Sequence, residues 1–187
     1  MNKFAIILGE PNSINSEILA KSIVSKKRSL IIGSSKLLQS QFNVLKIKKE
    51  INTIKSLAEV NNLRKNLNVL DVPLKFKKPF EVNPKESSKY IKKCFYLAHK
   101  LCVQKKLKGF INCAVDKKNL FKNKNIGITE FLSKKNNLNN SEVMMIYNKK
   151  LSVVPLTTHI ELKNVPKSLK KVNLKKKIVT LNNFYIK

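Results

Sequence analysis

The sequence predicts an α/β fold, a mostly parallel sheet with flanking helices and one antiparallel hairpin. Short continuous apolar runs of strand length are closed by glycine or proline, as strands buried on both faces require. Between them lie stretches whose apolar residues recur at helical spacing. Their alternation along the first half of the chain implies crossover connections and hence parallel pairing.

The first run, Lys3 to Leu8, contains Phe4-Ala5-Ile6-Ile7-Leu8 and stops at Gly9 and Pro11. After a loop over 10–15, Ile18, Leu19, Ser22 and Ile23 mark a helix starting near Ser16. Ser29 to Gly33 reads as the second strand, Ser35 to Phe42 as a helix, and Asn43 to Ile47 as the third strand. Over 48–82 lysine and asparagine dilute the pattern, leaving one strand at Asn68 to Val72, stopped by Pro73. Asn83-Pro84-Lys85-Glu86 supplies an N-cap, a proline at the first helical position and a glutamate at the third. The helix it opens carries the stripe Ile91, Cys94, Phe95, Ala98, Leu101 and Cys102. A buried strand is expected at Phe110 to Val115, after Gly109. A helix is expected from Gly127, with Thr129 as cap. Val143 to Tyr147 and Leu151 to Thr157 flank Asn148-Lys149-Lys150 as a hairpin. Leu174, Ile178, Leu181 and Tyr185 mark a final amphipathic helix.

Composition narrows the function classes. A hydrophobic content of 42% over 187 residues supports a folded core. No apolar run approaches bilayer length, and the N-terminus lacks the longer apolar segment of a signal peptide, so the cytoplasm is the expected compartment. Three cysteines without a C-x-x-C pair offer neither a zinc motif nor a redox motif. Cys94 and Cys102 read as small core residues. The net charge of +28 raises nucleic-acid binding. However, the cations are spread over the whole length, and Arg28 and Arg64 are the only arginines. No recognition helix, zinc finger or aromatic RNA-binding signature accompanies them, so the expected contact with nucleic acid is nonspecific.

The chemistry-bearing residues are few. His99 sits near the apolar edge of the helix from Pro84, where a packing or surface role is expected. His159, in Thr157-Thr158-His159-Ile160, follows an expected buried strand, where ligands of open α/β sheets collect. From spacing alone, a metal or catalytic role and a capped structural histidine both stay open. The loop Gly9-Glu10-Pro11-Asn12-Ser13-Ile14-Asn15-Ser16-Glu17 leads from strand to helix and reads equally as an anion receptor or an ordinary connection. The sequence holds no P-loop, dinucleotide fingerprint or nucleophile elbow.

Together these segments resemble the 4-hydroxythreonine-4-phosphate dehydrogenase family. That family opens with G-D-P-x-G-I-G-P-E, matched by residues 9–17. Its G-H-T-E-F-L is matched by Gly127-Ile128-Thr129-Glu130-Phe131-Leu132. Its V-M-M and T-T-H-I-P-L are matched by Val143-Met144-Met145 and Thr157-Thr158-His159-Ile160-Glu161-Leu162, and its K-x-V-P by Lys163-Asn164-Val165-Pro166. The resemblance implies a fold like that of isocitrate and isopropylmalate dehydrogenases, C-terminally truncated, with a first lobe over 1–130 and an incomplete second lobe over 131–187. It implies NAD-dependent oxidation and metal-assisted decarboxylation of 4-phosphooxy-L-threonine in vitamin B6 synthesis, with NAD and a divalent metal (zinc, magnesium or manganese) as cofactors. It makes His159 a metal ligand and Thr129 and Lys117 substrate contacts; the catalytic and cofactor-binding residues stay unassigned. Ile128 replaces the family's substrate-binding histidine. Ser13, Asn15 and Ser16 replace two glycines and a proline, which implies strain in the first loop. The implied partners are a phosphorylated small molecule and either a second copy or a complementary C-terminal half, with no membrane. The departures leave two alternatives: an inactive paralogue or half of a split enzyme, and a basic nucleic-acid-associated protein.

Overall fold

The computed structural model describes residues 4–22, 30–55, 67–122, 127–137, 142–157, 160–169 and 171–186, in two compact units, 1–124 and 125–187. The expected lobe boundary at residue 130 falls inside a helix of the second unit.

The first unit holds five parallel strands: β1 (Phe4–Ile7), β2 (Leu30–Gly33), β3 (Ile51–Ile54), β4 (Leu67–Asp71) and β5 (Gly109–Asn112). Their spatial order is β3-β4-β2-β1-β5, with Ile6 opposite Ile31 and Ile111, and Ile31 opposite Val69. Side chains alternate between the two faces of the sheet. Ile31 and Val69 join Leu8, Leu19, Ala20, Leu38, Phe42 and Leu67 in a core with α1 (Asn15–Ser22) and α2 (Ser35–Val44). α3 (Pro84–Val103) packs on β1, β2 and β5, burying Tyr90, Ile91, Cys94, Phe95, Ala98 and Leu101. Its Asn83 cap accepts a hydrogen bond from the Lys85 amide at 2.9 Å, and Phe95 meets Phe110 edge-on at 6.0 Å.

Two strand expectations are corrected. Residues 43–47 finish α2 and turn, and β3 lies at Ile51–Ile54. The Lys46 amide donates to Asn43 O and the Ile47 amide to Phe42 O, closing a Schellman motif with Lys46 at φ 55°. Lys105, at φ 56°, ends α3 in the same way. Lysine stands where glycine normally signals a stop, so the pattern showed none. Lys46→Gly and Lys105→Gly should each stabilise the first unit by about 0.5–1 kcal/mol, read as a higher urea midpoint. β5 is an edge strand, with Ile111 and Asn112 exposed, rather than a buried one.

The second unit contains α5 (Ile128–Lys135), a 3-10 turn (Leu162–Asn164), α6 (Val165–Ser168) and α7 (Lys171–Tyr185). α4 (Lys117–Phe121) closes the first unit, and the sequence pattern gave no sign of it. The expected hairpin is reduced to one antiparallel bridge, Ile146 with Val153, bonded at 2.8 and 2.9 Å. A two-stranded ribbon without a face to pack on is marginal, and both residues are exposed. The strand before His159 is therefore not buried as expected. Gly127, not Thr129, caps α5.

Burial raises the Cys94 thiol to about 12 and lifts the Tyr90 hydroxyl well above its ordinary value. The folded chain thus holds these protons more tightly than the unfolded chain does. The associated stability is fully present below the thiol's ordinary value of 9.0 and drains away as pH rises from there toward 12. Urea unfolding across that alkaline range should show this loss, and Cys94→Ala should make it shallower.

Candidate functional site

The strand order creates a crevice. β1 connects through α1 to β2 on one side, whereas β4 connects through α3 to β5 on the other side of β1. The carboxyl ends of β1 and β5 are therefore the topological switch point, where ligands of open α/β sheets bind. A cavity of ≈ 550 Å³ opens there, lined by Glu10, Asn12, Pro84, Asp116, Lys118, Asn119 and Lys122.

Its rim is built by backbone economy. Gly9 has φ +74°, and an added Cβ would lie 2.5 Å from Ala114 O and 3.1 Å from Cys113 O. The Glu10 amide donates to Ala114 O at 3.0 Å, tying the two loops together. Asn15, 3% exposed, donates its side-chain amide to the carbonyls of Ala114 (2.8 Å), Leu8 (3.1 Å) and Glu10 (3.5 Å). Glu10 Oε1 accepts from Ser87 Oγ at 2.8 Å, while Glu10 Oε2 is buried without a hydrogen-bond partner. Asn12 exchanges two 2.8 Å bonds with Val82, and Gln41 reaches Pro11 O (2.7 Å) and Pro79 O (2.8 Å). Asp116 caps α4 through the Asn119 amide at 3.0 Å, and Asn119 Nδ2 donates to Pro84 O at 2.9 Å.

The strain expected from the lost glycines is absent. Ser13, Asn15 and Ser16 are not among the described residues with positive φ. Ser13 Oγ instead donates to Glu10 O at 2.6 Å and accepts from the Asn15 amide at 3.2 Å. The α1 amide end is thus partly used internally. Ser16 Oγ is buried and without a partner.

Lys117 is the exposed first residue of α4, but Lys118 of that helix and Lys122, its C-cap, line the cavity. In the second unit, Ile128 is half-buried at the start of α5 and Thr129 is exposed. Thr158 and His159 lie outside the described residues. His99 is half-buried on α3. Among the described residues no three His, Cys, Asp or Glu side chains gather to hold a metal, whereas a catalytic metal takes about three protein ligands. The space beside Gly9 is filled by Ala114 and Asn15 rather than open to a cofactor phosphate. The described residues thus show no metal-ligand cluster and no open space for a phosphate beside Gly9. No described helix is long and apolar enough to cross a membrane.

Sequence reasoning missed Glu10, Asn12, Asn15 and Asp116 as rim builders. Their signal was a run of small polar side chains in a strand-to-helix loop, which reads as ordinary turn chemistry until a second loop is beside it.

Residues 25–187 match the family model "Pyridoxal phosphate biosynthetic protein PdxA". The chain is 30% identical over 192 residues to 4-hydroxythreonine-4-phosphate dehydrogenase of Sulfurihydrogenibium sp. (strain YO3AOP1), a match covering 97% of this chain and 57% of that protein. It is 32% identical over 189 residues to the enzyme of the same name from Aquifex aeolicus (strain VF5), covering 94% and 55%. The chain thus spans little more than half the length of these curated relatives. Crystal structures titled as 4-hydroxythreonine-4-phosphate dehydrogenases superpose with a TM-score of 0.82. The one from Klebsiella pneumoniae has 24% identity over 98% of this chain and 58% of its own. The one from Burkholderia phymatum has 19% identity over 100% and 59%. At those identities the superpositions establish the α/β fold.

Proposed function

Because the chain belongs to the family of pyridoxal phosphate biosynthetic protein PdxA, we propose that it contributes to NAD-dependent oxidation of 4-phosphooxy-L-threonine, with metal-assisted decarboxylation, in vitamin B6 synthesis. The family match over residues 25–187 is the observation that carries this reading. The switch-point cavity supports it as the place where an open α/β sheet receives a small polar substrate, with Lys118 and Lys122 in its lining beside the carboxylates Glu10 and Asp116. Lys117 adds a third cation on the same short helix. In the second unit Thr129 offers an exposed hydroxyl to the substrate, and His159 is the proposed metal ligand. We place the protein in the cytoplasm, paired with a second copy or with a complementary C-terminal half.

The test is NADH formation from 4-phosphooxy-L-threonine with added zinc, magnesium or manganese. The chain alone should give no turnover, and addition of a polypeptide carrying the rest of the family fold should restore it. Rapid turnover by the chain alone would overturn the expectation that one histidine is too few.

Ile128 favours a second reading, a catalytically silent member of the family. An aliphatic group there cannot donate the hydrogen bond that a histidine would. In the complemented protein, Ile128→His should raise kcat/KM on the order of tenfold, the worth of one good hydrogen bond. If neither form makes NADH, the silent reading stands.

A further inference from the structure

Lysines scattered along the sequence are sorted by the fold of the first unit. Residues 85–108 hold eight lysines and one acidic residue, Glu86. On α3, Tyr90, Ile91, Cys94, Ala98 and Leu101 are buried in its packing on the sheet. At 3.6 residues per turn, Lys85, Lys89, Lys92, Lys93, Tyr96 and Lys100 share a sector of about 100° on the opposite side. Lys92 is half-buried and the others are exposed, Tyr96 by 43%. The stripe runs for about 22 Å, with steps of about 6 Å from Lys85 to Lys89 to Lys93. Beyond the C-cap at Gln104, Lys105, Lys106 and Lys108 are exposed as well. Glu86 does little to offset this charge, because Lys89 already holds it at 2.9 Å. That ammonium keeps the Glu86 carboxyl below its ordinary value, with Lys75 and Lys93 adding to the effect.

The chemistry of the stripe selects its partner. Spaced ammonium groups neutralise successive phosphates, and an exposed aromatic ring among them gives an unpaired base a surface to stack on. A bilayer takes up a helix through an apolar face, and that face of α3 is already buried against the sheet. Protein interfaces are depleted in lysine at their cores. A duplex hides its base faces from the ring, whereas RNA exposes them in loops and ends. We propose that the outward face of α3 binds single-stranded RNA without sequence preference, with phosphates on Lys85, Lys89, Lys93 and Lys100 and a base stacked on Tyr96. The inference stands apart from the dehydrogenase reading, since RNA binding and NADH formation are measured independently.

Fluorescence anisotropy of the full chain with labelled oligouridylate, over a salt titration, tests it. Lys89→Gln, Lys93→Gln and Lys100→Gln together remove three cations with little change in helix propensity. The triple variant should lose about tenfold or more in affinity at low salt. Its plot of log affinity against log salt should be shallower by about 2, at roughly 0.7 per phosphate contact. A control triple at exposed lysines elsewhere, Lys36→Gln, Lys48→Gln and Lys149→Gln, should leave both close to the parent. Tyr96→Leu should cost about tenfold with the salt slope unchanged, and Tyr96→Phe should bind like the parent. Circular dichroism of each variant, matching the parent, keeps unfolding out of the comparison. Equal losses in the two triples would put binding on diffuse charge and overturn the proposal. So would parent-like affinity in Tyr96→Leu, or duplex RNA bound as tightly as the single strand. Tighter binding to oligodeoxythymidylate, or to phosphatidylserine vesicles, would overturn the choice of RNA.

Discussion

Gly9→Ala should cost the first unit on the order of 3 kcal/mol, a large share of the roughly 5–15 kcal/mol that holds an ordinary domain together. The backbone at φ +74° puts any Cβ into the left-handed region, worth about 1–2 kcal/mol by itself. The remainder comes from the 2.5 Å approach to Ala114 O. That oxygen belongs to backbone already holding the Glu10 amide and the Asn15 side chain, so it cannot swing away without breaking both. Urea unfolding followed by circular dichroism checks this, and a midpoint unchanged from the parent would show that the two loops are not locked. Because the same contact shapes the switch-point cavity, exchange at residues 113–116 should rise in the variant even where the protein stays folded.

Asn15→Asp should be at least as damaging, about 3–5 kcal/mol at neutral pH. The amide shares two hydrogens among three carbonyl oxygens at 2.8–3.5 Å, in a position 3% exposed. A carboxylate there would face oxygen on three sides with its charge unpaired. Protonation restores one donor, so the deficit relative to the parent should shrink as pH falls. Paired urea titrations at neutral and acidic pH measure that, and a pH-independent deficit would mean the charge escapes to solvent. Asn15→Ala separates the effects, since it removes the donors without adding charge and should show a smaller loss with no such pH trend.

Both residues stand in the loop whose polar substitutions read as a source of strain. The structure gives the opposite account. Asn15 replaces a glycine and becomes the pin between β1 and β5, and Ser13 turns its hydroxyl inward to serve the loop's own backbone. No local pattern could announce this, because the acceptor at Ala114 lies 99 residues away. β3 was misplaced for a local reason: Val44, Leu45 and Ile47 look like a strand once the helix stop is a lysine. The hairpin over 143–157 was overestimated because alternating apolar residues specify a strand only where a surface receives them. The proposed substrate residues are split in the same way: Lys117 and its helix belong to the switch-point cleft, Ile128 and Thr129 to the second unit.

Periodicity and capping residues were enough, by themselves, to determine β1, β2, β4 and the long helices α3 and α7, because each depends on neighbours within a turn or a few residues. The ordered motifs around Gly9, Gly127 and Val143 were enough to determine the family. Tertiary structure alone decided which strand lies beside which, and so where the crevice opens. It also decided that Glu10, Asn15 and Asp116 build the rim, and that no apolar side chain is buried among the described residues of the second unit. Those properties are set by long-range backbone contacts and by what covers a surface, and neither is encoded in the spacing of a single segment.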